Sequence, residues 1–296
     1  MNYLSESTDS LVKKASYLTI LARSLAENMK NGNFQSIIQG QGIEFSGVRE
    51  YIRGDDVRSI DWNVTARMGH PFVKIFDEER ELQIFIIVDS SLSMLLKNKG
   101  KSKYQVAAET AALTTITAEM NGCPVGAVFF DGSTYFSCKP ETGRQQTMLL
   151  LTHLDRLDEN QTTGSVLGSA LSVASNLIKK RSLVFVFSDF RTSGYSKPLI
   201  SLAQKNDVIA FRLHDKTDDE LPSLGTVPFE DVESGIKMTL PSSSSKLKKQ
   251  WSDFMYANEQ FWRDTCSKHG IMPVILRTDD EPVRVLNSVF SRKGRL

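Results

Sequence analysis

The chain has 296 residues, of which 40% are hydrophobic, so it is long enough for one large domain or two modest ones with a normal core. Its 36 basic and 35 acidic residues nearly cancel. This balance provides no global field to attract nucleic acid or an anionic membrane, and no apolar run approaches the roughly 18 to 20 residues that cross a bilayer.

The first 30 residues predict an amphipathic helix. Among Lys13, Lys14 and Arg23, apolar residues recur at helical spacing: Leu11, Ala15, Leu18, Ile20, Leu21 and Leu25. Such a stripe either packs on the chain's own core, which is the more common outcome, or docks a partner helix. The extreme N-terminus lacks the basic region and apolar core of a secretory signal, so we expect a cytoplasmic protein.

Residues 40 to 67 alternate in charge. Four arginines are interleaved with four carboxylates: Arg49, Arg53, Arg58 and Arg67 with Glu44, Asp55, Asp56 and Asp61. Arginine forks favour bidentate carboxylate pairing, which fits an ion-pair network inside the chain or docking to a partner. On a solvated surface, by contrast, each pair contributes only about 0 to 1 kcal/mol. Because Phe45, Tyr51 and Trp62 lie among these charges and need to be buried, we favour a structured interface.

Strands and helices alternate after residue 80. β-branched and aromatic runs predict strands at about 83–88, 125–130, 134–138, 183–187, 207–213 and 271–276. Apolar spacings of three and four predict helices at about 103–121, 144–156, 166–180 and 245–268. This order predicts a doubly wound, mostly parallel α/β sheet with helices on both faces.

Two local patterns modify that sheet. The Asp131-Gly132 turn predicts that one strand is an antiparallel edge, and the stretch near 221–240 reads as an inserted hairpin. The three cysteines are odd in number and widely spaced, which argues against a disulfide framework or a structural zinc. We therefore predict an N-terminal helix and charged β-type segment over 1–80, and the sheet domain with its hairpin over 81–296.

Polar residues follow two of the predicted buried strands. Asp89, Ser91 and Ser93 follow the first, and Asp189 follows the strand at 183–187. The hydroxyl-rich loop at 162–169 lies between them in sequence. Ligands bind at the carboxyl ends of strands in open parallel sheets, and hard oxygen ligands suit Mg²⁺ or Mn²⁺. The first loop alone could also be an ordinary turn.

Together these loops resemble the metal-ion-dependent adhesion site of von Willebrand factor A domains, with its D-x-S-x-S, Thr and Asp pattern. Asp89, Ser91, Ser93 and Asp189 match this pattern. Ser165 stands where the family has Thr, and Thr163 is an alternative third hydroxyl. The resemblance implies that the hydroxyls ligate Mg²⁺ or Mn²⁺ directly, with Asp89 and Asp189 direct or acting through water, and that a partner's acidic group completes the coordination.

The segment before the first strand resembles the signature of the bacterial domain-of-unknown-function 58 family (DUF58). The matching residues run at fixed spacings from Gly40 to Arg67 and then from Phe72 to Arg80, and they include Arg49, Tyr51 and the Gly54-Asp55-Asp56 turn. Members couple such a segment to a von Willebrand A-like domain and are typically encoded beside a MoxR-type AAA+ ATPase. The resemblance therefore implies a non-enzymatic adaptor for that ATPase or its client.

Two other functions fit the sequence less well. Asp89 at a strand end also suits a Mg²⁺-dependent phosphotransferase or hydrolase with an aspartyl nucleophile, but such enzymes usually carry a carboxylate where this chain has Ser91. RNA binding would require a basic stripe or an aromatic recognition motif, and neither is visible.

Overall fold

The N-terminal unit is built on a pair of antiparallel strands. The computed structural model describes residues 22, 25, 44–77, 82–97, 100–155, 166–219, 223, 225–230 and 237–291. β1 (Glu44–Glu50) pairs with β2 (Phe72–Asp77), and α1 (Trp62–Met68) lies between them in sequence. The Asp61 carboxylate caps α1 by accepting hydrogen bonds from two backbone N–H groups, and Gly69 ends it with φ 78°.

This unit exposes apolar side chains as well as charges. Trp62 is 69% exposed, and Ile52, Val57 and Met68 are also exposed. The expectation that the aromatic residues of this segment are buried is therefore wrong for Trp62, because α1 buries none of its residues. Tyr51 is half-buried, and the side chain of Phe45 lies outside the described residues.

A six-stranded sheet forms the centre of the protein. Its strands are β3 (Ile84–Asp89), β4 (Val125–Phe130), β5 (Thr134–Glu141), β6 (Leu183–Ser188), β7 (Asp207–His214) and β10 (Met272–Arg277). They lie in the order β5-β4-β3-β6-β7-β10. All neighbours are parallel except β4 and β5. The predicted sheet and its antiparallel edge strand are thus confirmed.

Helices cover both faces of this sheet. They are α2 (Leu92–Leu95), α3 (Lys103–Met120), α4 (Arg144–Asp155), α5 (Leu167–Leu177), α6 (Ser196–Ala203), α7 (Lys216–Asp219), α8 (Ser245–Lys268) and α9 (Pro282–Ser291). One core packs α3, α4 and α9 against Ile84, Ile86 and Val88 of β3. The other packs α5, α6 and α8 against Phe85 and Ile87. The sheet is therefore doubly wound, as predicted.

Two further predictions concern segments outside this sheet. β8 (Thr226–Glu230) and β9 (Lys237–Pro241) pair antiparallel in the stretch where the sequence predicts an inserted hairpin. Of the predicted N-terminal helix, Ala22 and Leu25 are described, and both are buried. Leu25 belongs to the core cluster that contains α3, which supports packing on the chain's own core. The domain boundary near residue 80 stays a prediction, since residues 78–81 lie outside the described part.

Within the described residues, no helix is long and apolar enough to cross a membrane. Cys123, Cys138 and Cys266 are free thiols.

Candidate functional site

The site lies where the strand order of the sheet reverses direction. Chain order runs outward from β3 through β4 to β5 on one side, and from β6 through β7 to β10 on the other. The carboxyl ends of β3 and β6 therefore flank the topological switch point, which is where open α/β sheets bind ligands. Asp89 ends β3, and Asp189 directly follows β6. The sequence prediction placed both carboxylates at this edge.

Asp89 is almost fully buried, with 1% of its surface exposed. One carboxylate oxygen accepts a hydrogen bond from the backbone N–H of Ser91 at 2.9 Å, and the other accepts from the Ser188 hydroxyl at 2.6 Å. Burial and the negative charge of Asp189 raise the pKa of Asp89 to about 7, against the opposing effect of the Ser188 and Ser91 hydrogen bonds. The negative charge of Asp189 therefore makes ionisation of Asp89 less favourable.

Ser91 and Ser93 bring two hydroxyls together at the start of α2. Ser91 precedes α2, but its side chain makes no capping hydrogen bond. Its Oγ lies 3.3 Å from the Oγ of Ser93 instead. The intervening Ser90 points elsewhere, since its hydroxyl donates to the Phe130 carbonyl. The alternate positions of the D-x-S-x-S pattern therefore lie on the same side of the chain, and Ser91 and Ser93 form a pair of hydroxyls next to Asp89.

Asp189 is positioned by an unusual backbone turn. The following residue, Phe190, has φ 53°, a left-handed conformation that costs a bulky side chain roughly 1–2 kcal/mol. Phe190 is fully buried, so core packing holds it in this conformation. The turn lets the backbone N–H of Arg191 donate to the Asp189 carboxylate at 3.2 Å.

A buried lysine completes the site, and the sequence interpretation missed it. Lys103 Nζ lies 3.2 Å from Asp189 Oδ2 and 3.2 Å from Asp218 Oδ2, and the lysine side chain is 4% exposed. Arg191 also pairs with Asp218, at 3.1 Å. Burial alone would raise the pKa of Asp189, but the positive charges of Lys103 and Arg191 outweigh it and hold that pKa below its ordinary value.

The sequence contains a signal for the position of Lys103, namely a capping box at the start of its helix. The Ser102 hydroxyl accepts from the backbone N–H of Gln105, and the Gln105 side chain accepts from the backbone N–H of Ser102. This capping box marks the N-terminus of α3. α3 follows the Asp89 loop, so Lys103 could have been placed near the site. No comparable signal precedes Asp218, which lies 115 residues further along the chain.

The third predicted hydroxyl ligand is not tested, because Ser165 and Thr163 lie outside the described residues. The backbone N–H of Val166 donates to the Asp131 carbonyl at 3.1 Å. Asp131 directly follows β4. The chain therefore re-enters beside the carboxyl edge of the sheet immediately after Ser165.

The donor chemistry fits a hard divalent cation. Two carboxylates and two hydroxyls supply only oxygen atoms, the ligands preferred by Mg²⁺ and Mn²⁺. Adjacent ligands of an octahedral Mg²⁺ lie about 3 Å apart, close to the Ser91–Ser93 hydroxyl separation of 3.3 Å. Among the described residues, no group of three or more His, Cys, Asp or Glu is placed to hold a metal.

The sheet order and the antiparallel edge strand define a doubly wound, mostly parallel α/β domain. Residues 47–260 match the family described as "Protein of unknown function DUF58". The chain belongs to this family, as the sequence resemblance indicated.

The chain is similar to an uncharacterized mycobacterial protein and to several solved structures. An uncharacterized protein of Mycobacterium tuberculosis is 31% identical over 224 residues, covering 74% of this chain and 70% of its own length. BatB from Bacteroides thetaiotaomicron is similar in structure, with 16% identity, a TM-score of 0.45 and coverage of 71% of this chain and 98% of that one. The SpRpn10 VWA domain has 13% identity, a TM-score of 0.39 and coverage of 70% and 94%.

Proposed function

We propose that the protein is a non-enzymatic interaction adaptor that uses a metal-ion-dependent adhesion-type site. Asp89, Ser91, Ser93 and Asp189, together with Ser165 or Thr163, would hold Mg²⁺ or Mn²⁺. When bound, the ion would supply a Lewis-acidic centre for a carboxylate of the partner. By the family resemblance, the proposed partner is a MoxR-type AAA+ ATPase or a client that this ATPase remodels during complex assembly.

The observation that carries the proposal is the pairing of the Ser91 and Ser93 hydroxyls beside Asp89. Both hydroxyls lie at the switch point, Ser91 just before α2 and Ser93 in its first turn, 3.3 Å apart, and the Ser91 side chain makes no capping hydrogen bond to α2. Neutral hydroxyl ligands leave a divalent ion with unneutralised charge. Such an ion attracts an acidic group from outside the chain.

The arrangement of Asp89 supports a holding role over a nucleophilic one. Both of its oxygens accept hydrogen bonds inside the protein, and almost none of its surface is exposed. A nucleophilic carboxylate needs an approach path for its substrate. The phosphotransferase alternative therefore has less support than the adaptor.

Removing the two hydroxyls tests the proposal. We expect the Ser91→Ala, Ser93→Ala double variant to lose partner binding by at least about tenfold while keeping its fold, because the carboxylates alone hold Mg²⁺ weakly. Calorimetry with a MoxR-type ATPase of the same organism, with Mg²⁺ and then with excess EDTA, measures this. EDTA should weaken binding of the unmodified protein and leave the double variant unchanged.

The matched control removes two hydroxyls elsewhere. Ser172 and Ser201 are exposed on helices α5 and α6, so Ser172→Ala with Ser201→Ala should bind the ATPase as the unmodified protein does. Unchanged affinity in the folded Ser91, Ser93 variant would refute a metal-mediated contact. Binding that ignores both EDTA and the variant would instead place the interface on the charged segment from Arg49 to Arg67.

A further inference from the structure

Lys103 is in an environment that lysines rarely occupy. It is the first residue of α3, and its side chain is 4% exposed. Lysine is almost never fully buried unless it is paired, because removing its charge from water is costly. Its two carboxylate partners, the buried Asp189 and the partly buried Asp218, therefore determine where the ammonium group can lie.

These two partners belong to different parts of the site. Asp189 is a proposed metal ligand, whereas Asp218 is on α7 and outside the proposed ligand set. Lys103 Nζ is 3.2 Å from one oxygen of Asp189, and 3.3 and 3.2 Å from the two oxygens of Asp218. The ammonium group is thus shared between Asp189, which would bind the metal, and Asp218, which would not.

A divalent cation held by Asp189 would lie next to the ammonium group. Like charges at such short range repel strongly, and burial weakens the solvent screening that would relieve the repulsion. Asp189 is already neutralised by Lys103 in the described structure. Binding the metal and keeping the Lys103–Asp189 pair therefore oppose each other.

We infer that Lys103 is a built-in competitor of the metal: it pairs with Asp189 in the metal-free protein and moves onto Asp218 when a divalent cation takes Asp189. This inference rests on the proposed function, because it takes Asp189 to be a metal ligand. It adds a residue that sets metal affinity, and it links the metal site to α7 through Asp218.

Asp218 is suited to receive the lysine. Both of its oxygens are already within reach of Nζ, so the transfer requires only a small side-chain shift. The backbone N–H of Asp215 donates to its carboxylate at 3.0 Å, and the Trp251 indole N–H donates to its backbone carbonyl at 2.9 Å. Asp218 is therefore fixed in place, and the transferred lysine avoids becoming a buried cation without a partner.

Binding of Mn²⁺ alone to the purified full chain tests the inference, with the free Mn²⁺ signal followed by electron paramagnetic resonance. In Lys103→Met the competitor is absent, and we expect Mn²⁺ to bind at least about tenfold more tightly. In Asp218→Asn the lysine loses its alternative partner and stays on Asp189, so Mn²⁺ should bind more weakly, by about threefold or more. The two variants thus change the affinity in opposite directions.

Lys101→Met is the matched control. Lys101 precedes the same helix and pairs with Glu109, but it is half exposed and outside the site. This variant removes the same charge, so it reports any effect of net charge alone, and its Mn²⁺ affinity should stay within about twofold of the unmodified protein because solvent screens distant exposed charges.

The outcomes separate the inference from the proposed function. Equal Mn²⁺ affinity in the unmodified protein and in folded Lys103→Met overturns the inference but does not contradict the proposed metal site. Absence of Mn²⁺ binding in every protein overturns both. Weaker binding in Lys103→Met also overturns the inference, since the lysine would then support the site. If Lys103→Met fails to fold, Asp218→Asn decides, and unchanged or tighter binding there refutes the transfer.

Discussion

The site at the carboxyl edge of the sheet and the N-terminal unit (residues 44–77) both pair cations with carboxylates, but they differ in burial. The side chains of Lys103 and Asp189 are 4% and 6% exposed, whereas those of Arg49 and Asp55 are 45% and 21% exposed. A buried pair must be matched group by group, because any charge left over is costly. An exposed pair is screened by water and contributes little. Burial therefore constrains the positions of the charges at the site, whereas the exposed Arg49–Asp55 pair is under little such constraint.

The apolar residues of the two regions show the same contrast. Trp262 lies in the core under the site, with its ring centroid 5.8 Å from that of Phe190 and the Arg212 guanidinium 5.7 Å above it. Trp62 in the N-terminal unit is 69% exposed. One tryptophan supports the backbone that carries Asp189, and the other presents its surface to solvent.

Replacing each tryptophan by alanine tests this contrast with the largest expected effect. Trp262→Ala should lower the free energy of unfolding by about 3–5 kcal/mol, because it empties a fully buried site. Trp62→Ala should change it by less than about 0.5 kcal/mol, because most of the ring is already in water. Urea denaturation followed by circular dichroism measures both values.

The two variants serve as controls for each other, since the same atoms are removed. Comparable destabilisation by both would mean that Trp62 is covered by part of the chain outside the described residues. A small effect of Trp262→Ala would mean that the core under Phe190 adapts to the cavity.

A smaller effect on stability is expected from the charge of Asp89. Its pKa in the folded protein, about 7, lies above its ordinary value of 3.8, so the stability linked to this group is complete below about pH 4 and is lost as pH rises through 7. Asp89→Asn removes the charge, so its gain in melting temperature over the unmodified protein should be about 3 °C larger at pH 8.5 than at pH 5.5, as expected for about 2 kcal/mol. Thermal denaturation in EDTA measures it.

The lowered pKa of Asp189 acts in the opposite direction, since its contribution is present above its ordinary pKa and is lost as pH falls. That loss occurs below the pH range compared here. A gain in Asp89→Asn that is the same at both pH values would show that Asp89 does not titrate between them, and would contradict a pKa near 7.

The sequence predicted the parts of the site that depend on local patterns. Runs such as Leu183 to Phe187 identify buried strands, and polar residues directly after them identify the edge, so Asp89, Ser91, Ser93 and Asp189 could be named. The Lys103–Asp218 pair joins residues 115 positions apart, and no local pattern reports such a contact. The exposure of Trp62 was missed because residue type indicates a preference for burial, whereas tertiary packing decides it.

The smallest effect on stability is expected at the exposed Arg49–Asp55 pair. Arg49 donates two hydrogen bonds to Asp55, at 2.6 and 2.8 Å, and the backbone N–H of Ile52 donates a third at 2.9 Å. These contacts, with the arginine foremost, lower the pKa of Asp55 to about 2. Any stability from this carboxylate is therefore present above about pH 4 and is lost as pH falls towards 2.

Arg49→Met should move the pKa of Asp55 part of the way back to 3.8 while leaving the melting temperature nearly unchanged, because the pair is exposed. Carbon-detected NMR of the carboxyl group between pH 1.5 and 6 follows the shift. A pKa that stays near 2 would assign the effect to the Ile52 N–H group, and a large fall in melting temperature would show that the pair helps to hold the N-terminal unit together. The protein can lose the arginine beside an exposed carboxylate and stay folded, because water solvates the carboxylate, whereas the burial of Asp189 is offset, among the described residues, by Lys103 and Arg191.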